Sequence, residues 1–413
     1  MIVETPAADQ LDRADPGEPR ILVVGAGIAG TTLAQLLRRA GRHPVLIERH
    51  DADAHADRGY MLALMSMVDP ALDELGAGAD YRRRSQRFDR YRIHSHRGRV
   101  LRTDPIAGLL DRYGDYRGID RGALLDCLAG ATVTCEVAHG TTVSAVERGD
   151  DAAPLRVCLA GARPAELEVD LIVAADGIGS TTRGLLHDGE PVDSVDTGWG
   201  GWVVWARPDA DPGLGSELWG DGFLVGAYPV LGALGAFLGG PRAIRDAGPA
   251  AYAERVRRAL RVVPERIDRV LTALVDDPDP FWWPLVDARA GSWVRGRSVL
   301  LGDAAAGFLP TAGIGAGMAI ESAWVLARHL THAHAHAPGA ADLDGRLAAY
   351  ERAQRPRVTA AHDTSRRLAT LMCRTSLPLA VARDVVMRFV SIDLALRPIQ
   401  QLLAHPPDLP APR

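Results

Sequence analysis

Four consecutive apolar residues, Ile21-Leu22-Val23-Val24, run straight into Gly25-Ala26-Gly27-Ile28-Ala29-Gly30, after which Leu33, Leu36 and Leu37 recur at helical spacing. No other feature of the chain restricts its fold as much. A short strand that is apolar throughout is buried on both faces, the condition of a parallel sheet covered by helices. Each glycine has its own task at this junction: Gly25 permits the tight turn, Gly27 lets backbone N–H groups reach a pyrophosphate, and Gly30 lets helix and strand pack closely. Ile28 and Ala29 complete the loop at a helix start, where unpaired amides and the helix dipole favour negative charge.

Val45-Leu46-Ile47 reads as the second strand of a βαβ unit, ending at Glu48 and Arg49. A carboxylate about 20 residues beyond the glycine loop accepts hydrogen bonds from an adenosine ribose and repels a 2′-phosphate. The loop is therefore expected to hold FAD or NAD rather than NADP.

Along the 413 residues the pattern changes several times. Residues 1–19, acidic and Pro-containing, read as a disordered tail. Residues 20–190 read as the first part of a dinucleotide-binding domain. An Arg-rich stretch at 81–103 within it has the form of a hairpin, either simply solvated or offering a basic patch to nicotinamide phosphates. Between 191 and 290, short aromatic and aliphatic runs alternate with Gly and Pro, the mark of an antiparallel sheet and hence of an inserted substrate-binding domain. A buried strand at Ser298–Leu301 returns the chain to the first domain over 291–345, and 346–413 reads as helices broken at Pro378 and Pro398. The expected class is thus α/β, with a Rossmann-type domain, an inserted antiparallel sheet and C-terminal helices.

Two later segments decide which dinucleotide is held. Ala174-Ala175-Asp176-Gly177-Ile178-Gly179-Ser180-Thr181-Thr182-Arg183 and Gly302-Asp303-Ala304-Ala305-Ala306-Gly307-Phe308-Leu309-Pro310-Thr311-Ala312-Gly313-Ile314-Gly315 resemble the "DG" and "GD" motifs of the class A flavoprotein aromatic hydroxylases, which share the para-hydroxybenzoate hydroxylase-like fold. The three fingerprints occur in family order over roughly residues 20 to 345. The resemblance implies FAD, with Asp303 accepting from a ribityl hydroxyl and Pro310, Gly313, Ile314, Gly315 and Ala316 along the flavin ring, where amides meet the charge of the reduced form. It further implies a segment at Asp176, Gly177 and Arg183 serving FAD and the nicotinamide cofactor, and an arginine, Arg121, lying against FAD. Two positions depart from the family pattern: Ala306 stands where His is usual, and Gly317 where Asn is common.

The resemblance also implies a monooxygenase in which NADH or NADPH reduces the flavin, oxygen is activated at its C4a position, and one oxygen atom passes to the substrate. Hydroxylation, epoxidation and Baeyer–Villiger insertion all stay open. So do a flavin held without oxygen transfer, as in a cyclase, and a flavin dehydrogenase or reductase. No acid–base catalytic residue is legible. Six of the eight tryptophans lie between 199 and 283, and large rigid rings line apolar pockets; Trp202, Trp219, Phe223, Trp282 and Trp283, with Pro310, are the expected substrate contacts. Trp199, Trp202 and Trp205 recur every third residue, so a bulge or turn between them is expected.

Other chemistry is restricted by composition. Every one of the 47 basic residues is Arg, which removes Schiff-base chemistry, the P-loop and the lysine that flavin halogenases need. A net charge of −5 with interspersed signs points neither to nucleic acid nor to an anionic membrane and leaves small neutral or weakly acidic partners open. The four cysteines lack metal or disulfide-scaffold spacing, the His/Ala tract at 331–337 has no carboxylate or Cys nearby, and no apolar run reaches ~18 residues. A cytoplasmic protein without a bound metal or a membrane span is expected, its oligomeric state open.

Overall fold

The computed structural model describes residues 2–52, 59–130, 133–148, 153–331, 343–407 and 409. Ile21–Val24 lies inside a five-stranded sheet in the order Val294–Arg295, Ser298–Leu300, Leu171–Ala174, Ile21–Val24, Val45–Ile47. The last four strands are parallel, and Ala174 is in register with both Val24 and Leu300. Three strand ends therefore finish at one level, each running directly into one of the glycine loops. Leu22, Val23, Ile172, Val173 and Val299 have no exposed surface, the expected state of all-apolar strands in a parallel sheet.

Residues 2–11 do not fit the disordered tail read from the composition of this end of the chain. Ile2–Glu4 pairs in parallel with Cys135–Val137, and the following helix, Ala7–Leu11, buries Gln10. The Gln10 side-chain amide donates to the Thr5 carbonyl at 2.8 Å, while its oxygen accepts from the Leu46 N–H at 2.9 Å. Charge and Pro content signal solvation, but they are blind to unpaired backbone groups on a neighbouring strand, and those groups supply the ordering interaction.

The inserted domain is built on a seven-stranded sheet in the order Phe281–Val286, Asp196–Ala206, Ala233–Pro241, Leu224–Val230, Leu214–Trp219, Arg90–His94, Val100–Pro105. Only the Leu214–Trp219 and Arg90–His94 pair is parallel. The hairpin from the Arg-rich stretch thus supplies two strands of this sheet from far upstream. Helices Ile244–Ala259 and Glu265–Asp276 cover one face.

No bulge separates the three tryptophans of the Asp196–Ala206 strand. Its pairing with Ala233–Pro241 is continuous from Trp199 to Ala206, so side chains alternate and the tryptophans part. Trp202 turns to the helix-covered face, where it meets Trp282 edge-on at 4.7 Å and Tyr252 at 5.3 Å. Trp199 and Trp205 turn to the other face. A spacing of three on a regular strand divides residues between two faces, and here both faces need aromatics.

Behind the glycine loops runs the long helix Leu343–Met372, which passes through Pro356. The helices Leu377–Met387 and Arg397–Ala404 place Pro378 and Pro398 in their first turns, where the missing N–H has no intrahelical partner to lose. From 332 the His/Ala tract lies outside the described residues.

Candidate functional site

The three loops converge because their strands are adjacent. Gly25 has φ of 102°, and a β-carbon there would lie 2.6 Å from the Ala175 carbonyl oxygen; only glycine fits where the first two loops cross. Gly302 has φ of 59°, and its β-carbon would lie 2.7 Å from that of Ala29, so the third loop seats against the helix Ile28–Arg39. Gly27 is different. A β-carbon there would meet nothing within 4 Å, which leaves open space at a helix start whose N-cap has no side-chain hydrogen bond.

Glu48, 7% exposed, accepts from the Ala26 N–H at 2.9 Å and from the His50 N–H at 3.0 Å. Its carboxylate is thereby fixed beside the glycine turn. Arg49 is exposed. In the second loop Asp176 accepts from the Ser180 hydroxyl and from the Thr182 N–H at 3.1 Å, and Gly177 takes a φ of 87°. Arg183 donates to the carbonyls of Ala304 at 2.8 Å and Ile178 at 3.0 Å. Asp176 therefore ties the second loop together and Arg183 braces it against the third, positioning roles that the sequence motif does not distinguish from ligand contact.

Asp303 opens a short helix, Asp303–Ala306, and keeps part of its surface exposed while protein crowds its carboxyl group. The resulting loss of solvation lifts its pKa to about 6. Nearby, the Arg121 guanidinium lies 5.8 Å from the Tyr60 ring centre, and that ring is 5.0 Å from Trp283. Burial raises the Tyr60 hydroxyl, a rise that Arg121 opposes and Asp303 reinforces. Arg121, Asp303, Tyr60 and Trp283 are thus one neighbourhood at the junction of the two domains.

Pro310–Ala312 form a single 3-10 turn closed by Gly313 at φ of 64°; Ile314 is buried and Gly315 and Ala316 begin the next helix. The long helix holds this turn from behind. Thr311 donates to the Ser365 carbonyl at 2.7 Å, Ser365 to the Leu309 carbonyl at 3.1 Å, and His362 contacts the Gly307 carbonyl at 3.1 Å. Arg366 forks onto Asp287, which has no exposed surface, at 2.8 and 2.9 Å. None of these bracing residues was legible in the sequence, since they come from a helix with no motif.

Facing the turn is the other face of the seven-stranded sheet, where Trp199 and Trp219 pack with Leu309, Ala369 and Met372. Glu217, 8% exposed, accepts hydrogen bonds from the Tyr91 and Tyr228 hydroxyls and, at 2.7 Å, from the Trp219 indole. Burial and the Glu217 charge hold both tyrosines well above their ordinary range, so they remain donors. A row of rings continues from Tyr91 through Tyr228 and Phe88 to Tyr116, at centre distances of 6.2, 6.4 and 4.2 Å. The Tyr116 hydroxyl reaches to 3.6 Å from where a Gly313 β-carbon would be. Trp219 and Trp283 share this face with Phe237; Trp202, Phe223 and Trp282 do not, being packed under the helices. The expectation that those three line the substrate space is corrected accordingly: strand parity sends Trp202 and Trp282 to the helix-covered side, and Phe223, in the turn before Leu224–Val230, packs into the same cluster. The basic patch at 81–103 is also largely neutralised, with Arg83, Arg84, Arg87, Arg90 and Arg102 each paired to a carboxylate.

Open space at Gly27, a fixed carboxylate at Glu48 and a partly exposed Asp303 at three converging loops fit an extended dinucleotide. The model of the FAD binding domain family matches residues 18–206 and 268–365. The chain belongs to the FAD-binding monooxygenases. It is 32% identical to 3-amino-4-hydroxybenzoate 2-monooxygenase of Streptomyces platensis over 84% of this chain and 87% of that one. It is 30% identical to 6-methylpretetramide 4-monooxygenase of Streptomyces rimosus over 75% and 74% of the two chains. In fold it is similar to Klebsiella pneumoniae HpxO crystallised with FAD and uric acid: TM-score 0.80, 20% identity, and 94% and 97% of the chains covered. These relatives support an FAD-dependent monooxygenase rather than a structural flavin or a flavin dehydrogenase. In this monooxygenase the departure at Gly317 has a steric cause. A β-carbon there would lie 2.8 Å from the Met67 sulfur, so Met67 fills the space that a larger side chain needs.

Proposed function

We propose that the enzyme draws hydride from NADH or NADPH and inserts one oxygen atom into a bulky, electron-rich aromatic or polyketide-type molecule. The acid-centred aromatic wall opposite the Pro310–Gly313 turn carries this reading. Phenolic relatives, the aminohydroxybenzoate and methylpretetramide monooxygenases, support the substrate class. Bound at the three loops, FAD supplies both the hydride acceptor and the oxygen-activating centre.

The chain's own residues do the rest. Gly25, Gly27, Ile28, Ala29 and Gly30 seat the pyrophosphate on a helix start, Glu48 takes the adenosine ribose and Asp303 the ribityl chain. The amides at Gly313, Ile314 and Gly315 face the ring edge. Arg121 lies against the cofactor with Tyr60 and Trp283 behind it. Trp219, Phe237 and Trp283 receive the apolar body of the substrate and keep water out. Tyr91 and Tyr228 give their single protons to Glu217, so their oxygens accept from and orient a phenolic or enolic hydroxyl, the group whose electrons make an adjacent ring carbon reactive. We place the enzyme in the cytoplasm, where the nicotinamide reductant is available.

The test is NAD(P)H oxidation by the FAD-loaded enzyme across a panel of polycyclic phenols, with products made under ¹⁸O₂ examined by mass spectrometry. Substrate-stimulated oxidation and one labelled oxygen per product are expected. Flavin-bound protein that oxidises NAD(P)H without incorporating label would end the proposal.

A further inference from the structure

The Leu377–Met387 helix is turned inside out. Its buried residues are Ala380 and Asp384, and Asp384 accepts from the His96 N–H at 3.0 Å and pairs with the His96 ring at 2.5 Å. The neighbouring Arg383 donates to the Trp219 carbonyl. Just past the helix, the Arg388 carbonyl accepts from Arg102 at 3.0 Å. Polar groups thus fasten the helix to the end of the inserted sheet, while Leu377, Leu379, Val381, Val385 and Val386 face outward and Phe389 is 80% exposed. At roughly 100° per residue these side chains fill one continuous arc. A contiguous exposed apolar stripe of this kind marks an interaction surface.

A second observation says what covers it. Against Leu377 opens a cavity of about 470 Å³ lined by His96, Arg97, Arg255, Arg258 and Arg261, with Asp221 as its only acid. Arg258 is paired with Glu254. Among the described residues, Arg97, Arg255 and Arg261 have no carboxylate partner. The surrounding segment 366–404 holds six Arg and two Asp in a chain whose net charge is −5. Val262, beside this basin in sequence, adds a further exposed aliphatic side chain.

We propose that this end of the molecule docks on an anionic lipid surface, with the aliphatic arc entering the headgroup boundary and the arginine basin receiving lipid phosphates. The two features are what such a surface requires: a helix lying in the interface plane through its apolar side, and cations beside it. Charge argues against a second copy of the chain, because a two-fold contact apposes the same patch to itself and would bring like-charged basins together. No described helix is long and apolar enough to cross a membrane, so the attachment is peripheral.

The FAD-loaded full chain is tested by co-sedimentation with vesicles of phosphatidylcholine alone and of phosphatidylcholine with about a quarter phosphatidylglycerol, at about 0.1 M salt. Three unpaired arginines should favour the anionic vesicles by about 100-fold. The double variant Val385→Asp/Phe389→Asp and the double variant Arg255→Glu/Arg261→Glu should each lose this binding while keeping flavin content and melting temperature. Protein that stays in the supernatant with both vesicles, or double variants that sediment like the parent, would overturn the proposal. So would a dimer in light scattering that Val385→Asp/Phe389→Asp dissociates while vesicles bind nothing. Stabilisation by inorganic phosphate without vesicle binding would also overturn it, marking an anion site instead of a lipid surface.

Discussion

Glu217 accepts the indole N–H of Trp219 at 2.7 Å from two positions away on the same strand, an arrangement that puts both side chains on the face opposite the Pro310–Gly313 turn. With Tyr91 and Tyr228 also donating to it, the carboxylate is surrounded by donors only. Glu217→Gln replaces one acceptor oxygen by an amide that must face one of those donors, a mismatch of about 1–3 kcal/mol. The expected result is a 10- to 100-fold fall, on the order of the same energy, in kcat/KM for a phenolic substrate. The same mismatch should also lower the melting temperature by a few degrees. Unaltered kinetics in a destabilised variant would assign Glu217 to packing alone.

Two glycines of one loop should behave differently. Gly25→Ala forces a β-carbon to 2.6 Å from the Ala175 carbonyl oxygen at a φ of 102°, so the fold itself should lose about 1–3 kcal/mol. Gly27→Ala meets no atom within 4 Å and should leave the apoprotein's melting temperature nearly unchanged. It should instead weaken FAD, because its methyl group occupies the space through which amides approach the pyrophosphate. Thermal melts of apoprotein together with FAD titration separate the two effects; equal behaviour would refute the assignment.

Asp303, lifted to about 6 by loss of solvation, gives the site a pH dependence. Its folded pKa lies above the ordinary aspartate value, so in the apoprotein its ionisation is disfavoured and stability falls as pH rises through the window up to about 6. A ribityl hydroxyl donates to the ionised form, so FAD binding should tighten through the same window. Fluorescence titrations from pH 5 to 7, bracketing the value of about 6, should show this in the parent, and a weaker, flat profile in Asp303→Asn. A variant that keeps the parent's slope would assign the dependence to another group.

Adjacent tryptophans divide by strand parity. Trp202→Ala, removing a ring packed on Tyr252 and Trp282, should destabilise by about 3–5 kcal/mol. Trp283→Ala, at the domain junction beside Tyr60, should cost less in stability and should raise KM for a bulky substrate. Denaturant midpoints set against steady-state kinetics read the split, and the reverse pattern would contradict the facing inferred from the register.

The first domain was legible because its signals are local. Ile21–Gly30, Glu48, the Asp176–Gly177 segment and the Asp303–Gly315 segment each combine a strand, a turn and a charge within a few residues, and the covalent chain alone sets their spacing. The second domain was legible only as an antiparallel sheet. Which side of it each aromatic takes depends on pairing register, and Trp202 and Phe223 show that a residue type suited to a pocket suits a core equally well. Local composition likewise gave no sign that Gln10 would complete the backbone bonding of Leu46.

By itself, then, the sequence determined that three glycine-and-acid turns would be made and what kind of ligand they suit, since backbone conformation and helix-start electrostatics are properties of short segments. Only the tertiary structure decided that Glu217, Tyr91, Tyr228 and Trp219 form one hydrogen-bonded wall, that His362, Ser365 and Arg366 brace the turn from behind, and that the Leu377–Met387 helix turns its aliphatic residues outward. Those relationships join residues far apart in the chain, and they exist only once sheet register and helix packing bring donor to acceptor and leave some faces uncovered.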